Sequence, residues 1–155
     1  MTHLKAPGRL YSSAGYGYFE SFNYGESWKR MTKGLRHRYL YGLAIDSGDP
    51  NNVIVSASYG PMTAYYVGNA ESFVYRKSND GEEWKVVSSG LPEPSGTTIA
   101  TLASNPKVAG EFYAVNNHGY LSPLIPVYLG RDLIFYGLKN IFHKSPEHLQ
   151  SFRDD

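Results

Sequence analysis

The sequence predicts an all-β fold built from repeated four-strand units, and three observations carry that expectation. A short motif occurs twice, about 56 residues apart: Ser21-Phe22-Asn23-Tyr24-Gly25-Glu26-Ser27-Trp28 and Lys77-Ser78-Asn79-Asp80-Gly81-Glu82-Glu83-Trp84. Lys follows each Trp, and Gly-Leu recurs six residues beyond it as Gly34-Leu35 and Gly90-Leu91. Two Asx-Pro pairs, Asp49-Pro50 and Asn105-Pro106, stand at the same separation. A unit of this size cannot bury its own apolar face, so a repeat implies neighbours stacked on one another.

The elements follow in order. Residues 9–13 and 16–22 read as two strands joined at Gly15, and Tyr24-Gly25 turns the chain into a strand over 27–31. Residues 39–45 and 53–58 are aromatic and aliphatic. They are separated by Asp49-Pro50-Asn51-Asn52, where Pro fixes φ and the Asx side chains bond back to the local backbone. Strands are expected at 65–67, 72–77, 83–87, 99–103 and 111–115, with Asn105-Pro106-Lys107 as the last turn. One complete unit is therefore strand a at 39–45, b at 53–58, c at 72–77 and d at 83–87, with the motif on the c–d turn. The chain enters at strand b of a preceding unit and loses the repeat near strand c of a following one.

Composition sets bounds on function. The chain has 155 residues, enough for one core, and a net charge of +1 with 19% charged residues, so no strong field favours nucleic acid or an anionic membrane. Its 14 Tyr and 16 Gly suit short strands and tight turns. The absence of Cys excludes disulfides, thiolate nucleophiles and Cys-ligated zinc. No signal-peptide core is visible at residues 1–8, and no apolar stretch reaches the ~18 residues of a membrane-spanning helix, leaving a cytoplasmic location as the default.

At the c–d turn the chain must reverse sharply. Asn23 and Asn79 can accept hydrogen bonds from nearby amides, Gly25 and Gly81 supply positive φ, and Trp28 and Trp84 open strand d and are expected to cover the underside of the hairpin. With Ser21 these residues make a self-stapled turn, and the role expected of them is structural. The pattern resembles the Ser-x-Asp-x-Gly-x-Thr-Trp Asp-box, or BNR repeat, over roughly residues 9–122. Asn stands for Asp in both copies, Lys77 for Ser and Glu83 for Thr in the second. The resemblance implies a β-propeller, of the kind found in sialidases, sortilin-type receptors and xyloglucanase-like glycoside hydrolases, with the boxes on the outer rim and away from the central cleft. The expected fold is then a partial β-propeller of about two four-stranded antiparallel blades plus half blades. Further blades or self-association would cover its open edges.

Chemistry is thin. The resemblance to sialidases would call for an arginine triad and a Tyr nucleophile with a Glu partner; Arg9, followed by Leu10-Tyr11, does not match the segment that carries the first Arg. Asp46 is the one weak candidate for a catalytic carboxylate, and beside Asp49 it reads more simply as a turn residue. The five His are scattered, His37 reads as solvated, and no metal spacing or Gly-rich phosphate loop occurs, so no metal or cofactor is expected. The Arg36-His37-Arg38-Tyr39 cluster is too short to argue for nucleic acid. A ligand, if bound, is expected at the d–a and b–c loops, where Tyr59, Tyr65 and Tyr66 in the 59–69 insertion could offer platforms to sugar rings. The simpler reading of that insertion is an extra edge strand.

After Ser122 the pattern predicts a third box, and none follows. Residues 123–155 form a non-repeat tail, with an apolar stretch at 131–142 compatible with a helix and a helix start at Ser145-Pro146. It reads either as a cap on the last blade or as a frameshifted segment. The function expected from all this is a non-catalytic repeat module, a scaffold or a surface for protein or glycan partners, with no nucleic-acid or membrane partner. The alternative is a fragment of a glycoside hydrolase.

Overall fold

A computed structural model describes residues 1–78, 83–119, 121–129 and 132–136. Three antiparallel sheets follow one another along the chain. The first contains β1 (Leu10–Ala14), β2 (Gly17–Ser21) and β3 (Lys29–Arg30) in that order. The second contains β4 (Tyr39–Ile45), β5 (Val53–Ser58), β6 (Phe73–Lys77) and β7 (Lys85–Val87). The third contains β8 (Thr101–Ser104), β9 (Phe112–Val115), β10 (Leu121–Leu129) and β11 (Asp132–Tyr136). Each sheet meanders from its inner strand outward, and the inner strands β1, β4 and β8 lie side by side. The architecture is a partial β-propeller. The complete a–b–c–d unit expected from the repeat is the second sheet, and the first supplies b, c and d of its predecessor.

Burial explains the strand sequences. The β5 residues Val53-Ile54-Val55-Ser56-Ala57-Ser58 are all buried, because both faces of the middle sheet are covered. One face packs Val53, Val55, Leu40, Tyr75 and Trp84 against Tyr11 and Tyr18 of the first sheet. The other packs Ile54, Ala44 and Val74 against Ile99, Leu102 and Phe112 of the third. Near the axis the sheets close in on each other. A Cβ at Gly42 would lie 2.3 Å from Ser56 Oγ of its own sheet and 3.2 Å from the Ala100 carbonyl just before β8, so glycine relieves crowding on both counts.

The a–b turns repeat in geometry as well as sequence. Asp49 Oδ1 accepts from the Asn51 amide and Asn105 Oδ1 from the Lys107 amide, each at 2.9 Å. Ser47 Oγ donates to the Asn105 carbonyl at 2.7 Å and ties the two turns together.

Two expectations fail here. The 59–69 insertion is not an edge strand: Pro61–Tyr65 is a short helix, α1, followed by a 3₁₀ turn over Val67–Asn69. Pro61 takes the first helical position, where no amide donor is needed, and Thr63 Oγ1 accepts from the Gly60 amide at 3.0 Å. The helix expected over 131–142 is also displaced, because Asp132–Tyr136 is strand β11, in register with Ile125 to Leu129 of β10. Leu133-Ile134-Phe135-Tyr136 are good strand formers, and β10 offers them an open edge. The rest of that stretch and the helix start at Ser145 lie outside the described residues.

Candidate functional site

The first box folds as a closed polar ring. Ser21 Oγ donates to Asn23 Oδ1 at 3.0 Å and accepts from the Gly25 amide at 2.8 Å. Asn23 Oδ1 accepts from the Ser27 amide at 3.0 Å, and Asn23 Nδ2 donates to Ser27 Oγ at 2.9 Å. Tyr24 and Gly25 both have positive φ, 60° and 95°. Asn79 and Gly81 of the second box lie outside the described residues. The two Trp differ. Trp84 is 2% exposed, meets the Tyr18 ring edge-on at 4.9 Å and donates from Nε1 to the Met31 carbonyl at 2.9 Å. Trp28 is 46% exposed and does not serve as the matching staple. Trp84 has the first sheet beneath it, in the cluster with Tyr11 and Tyr18.

Between the first two sheets lies a buried ionic cluster that the sequence did not reveal. Glu20 is fully buried and accepts from Lys77 Nζ at 2.7 Å, from Tyr18 Oη at 2.8 Å and from Arg9 Nε at 2.7 Å. Arg9 continues to Asn51 Oδ1 at 2.6 Å, in the a–b turn of the second sheet. Burial alone would raise the pKa of the Glu20 carboxyl; the hydrogen bond and charge of Lys77, with Tyr18 and Arg9, outweigh it and hold the group below its ordinary value. Burial and the neighbouring carboxylate push the Tyr18 phenol far up, and burial raises Tyr11 to about 12. Lys77 occupies the position of Ser21 in the first box. Its ammonium reaches back to Glu20 of the preceding blade.

Asp46 is also engaged. It is buried, with Oδ2 accepting from Asn52 Nδ2 at 2.6 Å and Oδ1 from the Gly48 amide at 2.8 Å. Its carboxylate closes the turn. A cleft of about 460 Å³ opens where the inner strands meet, lined by Ser12, Ser13, Tyr41, Gly42 and Thr101 among others, and none of its described lining residues carries a carboxylate. Among the described residues no group of three His, Asp or Glu is placed to hold a metal ion.

Aromatic side chains collect where the d–a and b–c connections of the middle sheet meet. Tyr65, at the end of α1, is 55% exposed and lies edge-on to Tyr39 (6.1 Å) and Tyr41 (5.5 Å) of β4. Tyr41 Oη is hydrogen-bonded to Ser72 Oγ. Beside them His37 stacks flat on Phe73, with ring centres 3.7 Å and planes 4° apart, and shares a 2.7 Å hydrogen bond with Tyr75 Oη. Tyr59, 67% exposed, meets the His37 ring edge-on at 4.4 Å. His37 is therefore buried, not solvated as expected, because Phe73 and Tyr75 offer it a ring-sized slot and a polar partner. Burial pushes its pKa below the ordinary value, as does the Arg36 charge, against the opposing effect of Glu71. Tyr66 is exposed beside Gly68 and touches neither cluster. Tyr59 and Tyr65, expected from the sequence, are joined by Tyr39, Tyr41 and His37, which were not. Their spacing at 37, 39 and 41 along one strand and its approach was the available signal.

No family model matches the sequence, and no curated protein matches it. Solved structures do match. An ancestral GH74 enzyme superposes on 90% of this chain at a TM-score of 0.67 and 16% identity. The GH74 xyloglucanase from Xanthomonas campestris matches 79% at 0.59 and 18% identity, and the GH74 enzyme from Niastella koreensis 87% at 0.56 and 12% identity. These neighbours are β-propeller glycoside hydrolases, and the chain resembles part of such a propeller. It spans only 18–22% of their length. At these identities the likeness establishes the fold, and the Asp-box resemblance stands on the residues of the turns alone.

Proposed function

We propose that this chain is a blade segment that binds carbohydrate chains on the aromatic end of its middle sheet and supplies no catalytic carboxylate pair of its own. The observation that carries the reading is the pair of exposed rings, Tyr59 and Tyr65, each held edge-on by further rings at the end where the connecting loops gather. A pre-positioned ring loses little freedom on binding a sugar face. None of the described residues lining the cleft between the inner strands carries a carboxylate, and Asp46, the sequence candidate, is spent on its own turn.

Calorimetric titration with soluble xyloglucan and an unbranched β-glucan tests this. Tyr65→Ala or Tyr59→Ala should weaken binding about tenfold, the equivalent of about 1.4 kcal/mol for one aromatic contact. Failure to bind either polysaccharide, or binding indifferent to both substitutions, refutes it.

The resemblance to GH74 enzymes favours a second reading, in which the segment belongs to a glycoside hydrolase. Release of reducing sugar that is abolished by Asp46→Ala, in a protein that still folds, would support that reading over the first.

A further inference from the structure

The exposed Tyr59 ring rests on a buried imidazole. His37, on the connection that leads into β4, lies flat on Phe73 of β6 and meets Tyr59, the residue after β5, edge-on at 4.4 Å. Tyr59 also meets Phe73 edge-on, but at 6.2 Å. His37 is thus the nearer of the two rings that hold Tyr59 in place. Its own anchor is the 2.7 Å hydrogen bond between Nδ1 and Tyr75 Oη, and His37 and Tyr75 are both buried.

That anchor has a direction. Hydrogen bonds from the His37 and Arg36 backbone reach the Tyr75 oxygen and oppose the rise that burial causes in its pKa. The oxygen accepts from the chain, so its own proton is directed to His37 Nδ1, which must accept it, and a neutral ring does so. A proton placed on Nδ1 would set two donors against each other in a buried site. Burial is the largest influence on the imidazole and lowers its pKa below the ordinary 6.5; Glu71, just ahead of β6, opposes this and Arg36 adds to it. Arg38 follows His37 in the chain, and Lys33, Glu83 and Lys85 line the same groove.

We propose that neutral His37 positions Tyr59 and that protonation of the imidazole releases it, so that acid weakens carbohydrate binding at this ring. The effect on binding rests on the reading of Tyr59 as a sugar platform; the hold of one ring on the other does not. The cationic ring loses its bond to Tyr75 and leaves the slot, and Tyr59 loses its nearer support. The folded pKa is the lower one, so the support is complete above the ordinary 6.5 and is lost as pH falls from there through the folded value. Tyr65 rests on two phenols, Tyr39 and Tyr41, rather than on an imidazole, so its platform survives.

A nuclear magnetic resonance titration of the full chain from about pH 8 to about pH 4.5 reads the coupling without a ligand. The Tyr59 ring signals should move along the same curve as those of His37, with a midpoint below 6.5. Tyr75→Phe removes the hydroxyl that faces Nδ1 and should raise that midpoint. Soluble xyloglucan, titrated calorimetrically at both ends of the range, should bind about tenfold more weakly in acid, the loss expected of Tyr59→Ala. Tyr65→Ala should keep that fall, whereas Tyr59→Ala and His37→Phe should each lose it. Circular dichroism confirms that every variant keeps its strands at both pH values. Tyr59 signals indifferent to the His37 titration overturn the proposal. So does an equal acid loss in His37→Phe, which would assign the effect to another group. Failure of the polysaccharide to bind at any pH refutes the sugar platform, and the Tyr59 signals then decide whether His37 holds the ring.

Discussion

Trp84→Ala and Trp28→Ala occupy matching places in the two motifs, and the structure predicts unequal costs for them. At Trp84 the substitution removes a side chain that is 2% exposed, an edge-on contact to Tyr18 at 4.9 Å and the donor that satisfies the Met31 carbonyl. Large-to-small replacement of a buried aromatic costs about 3–5 kcal/mol. Of that, the ring pair accounts for about 0.5–1.5 kcal/mol and the stranded carbonyl for about 1–3. At Trp28, which is 46% exposed, about 1 kcal/mol or less is expected. Urea melts followed by far-ultraviolet circular dichroism measure both, since fluorescence would lose its reporter. Trp84→Phe separates the two terms at the buried site: it keeps most of the packing and should cost only about 1–3 kcal/mol. Equal destabilisation by Trp28→Ala and Trp84→Ala would refute the assignment of Trp84 as the inter-sheet wedge.

Three further outcomes are expected. Glu20→Gln leaves Lys77 and Arg9 facing a neutral group in a buried site, and should cost about 3–5 kcal/mol in the same melts. The folded pKa of Glu20 lies below its ordinary 4.5, so its ionic contribution is complete above that pH and is lost as pH falls through the folded value. Acid should therefore destabilise the wild type more steeply than Glu20→Gln, and parallel pH profiles would count against the ion pairs. Gly34→Ala should destabilise more than Gly96→Ala. Both have positive φ, 87° and 73°, worth about 1–3 kcal/mol of strain each, but a Cβ at Gly34 would also lie 2.3 Å from the Trp84 carbonyl, whereas Gly96 faces open space. Matching melting temperatures would overturn that ordering.

Much of the architecture could be read from the chain because its signals are local. The Asx-Pro turns and the first box close hydrogen bonds within four residues, so their residue types alone declare their geometry. The middle sheet follows, since two of its three connections, a–b and c–d, are marked. What escaped reading depends on contacts far apart in sequence. Lys77 looks like a lapse in the motif until Glu20, 57 positions away, is seen beside it. His37 looks solvated because its slot is made by Phe73 and Tyr75 of another strand. Tyr65-Tyr66-Val67 reads as strand by propensity, but Pro61 and Thr63 start a helix before that preference can act. Trp28 and Trp84 share a motif, and only the presence of a sheet beneath one of them sets them apart.

The reach of Lys77 to Glu20 also gives the repeats an order. By sequence the two boxes look interchangeable. Yet Lys77→Ser would leave a sealed carboxylate one cation short, and Ser21→Lys would remove the hydroxyl that accepts from the Gly25 amide. A duplicated or shuffled gene would preserve every turn and still misfit at this seam. Each blade thus carries an address as well as a shape, written at one of the motif positions where the two copies differ.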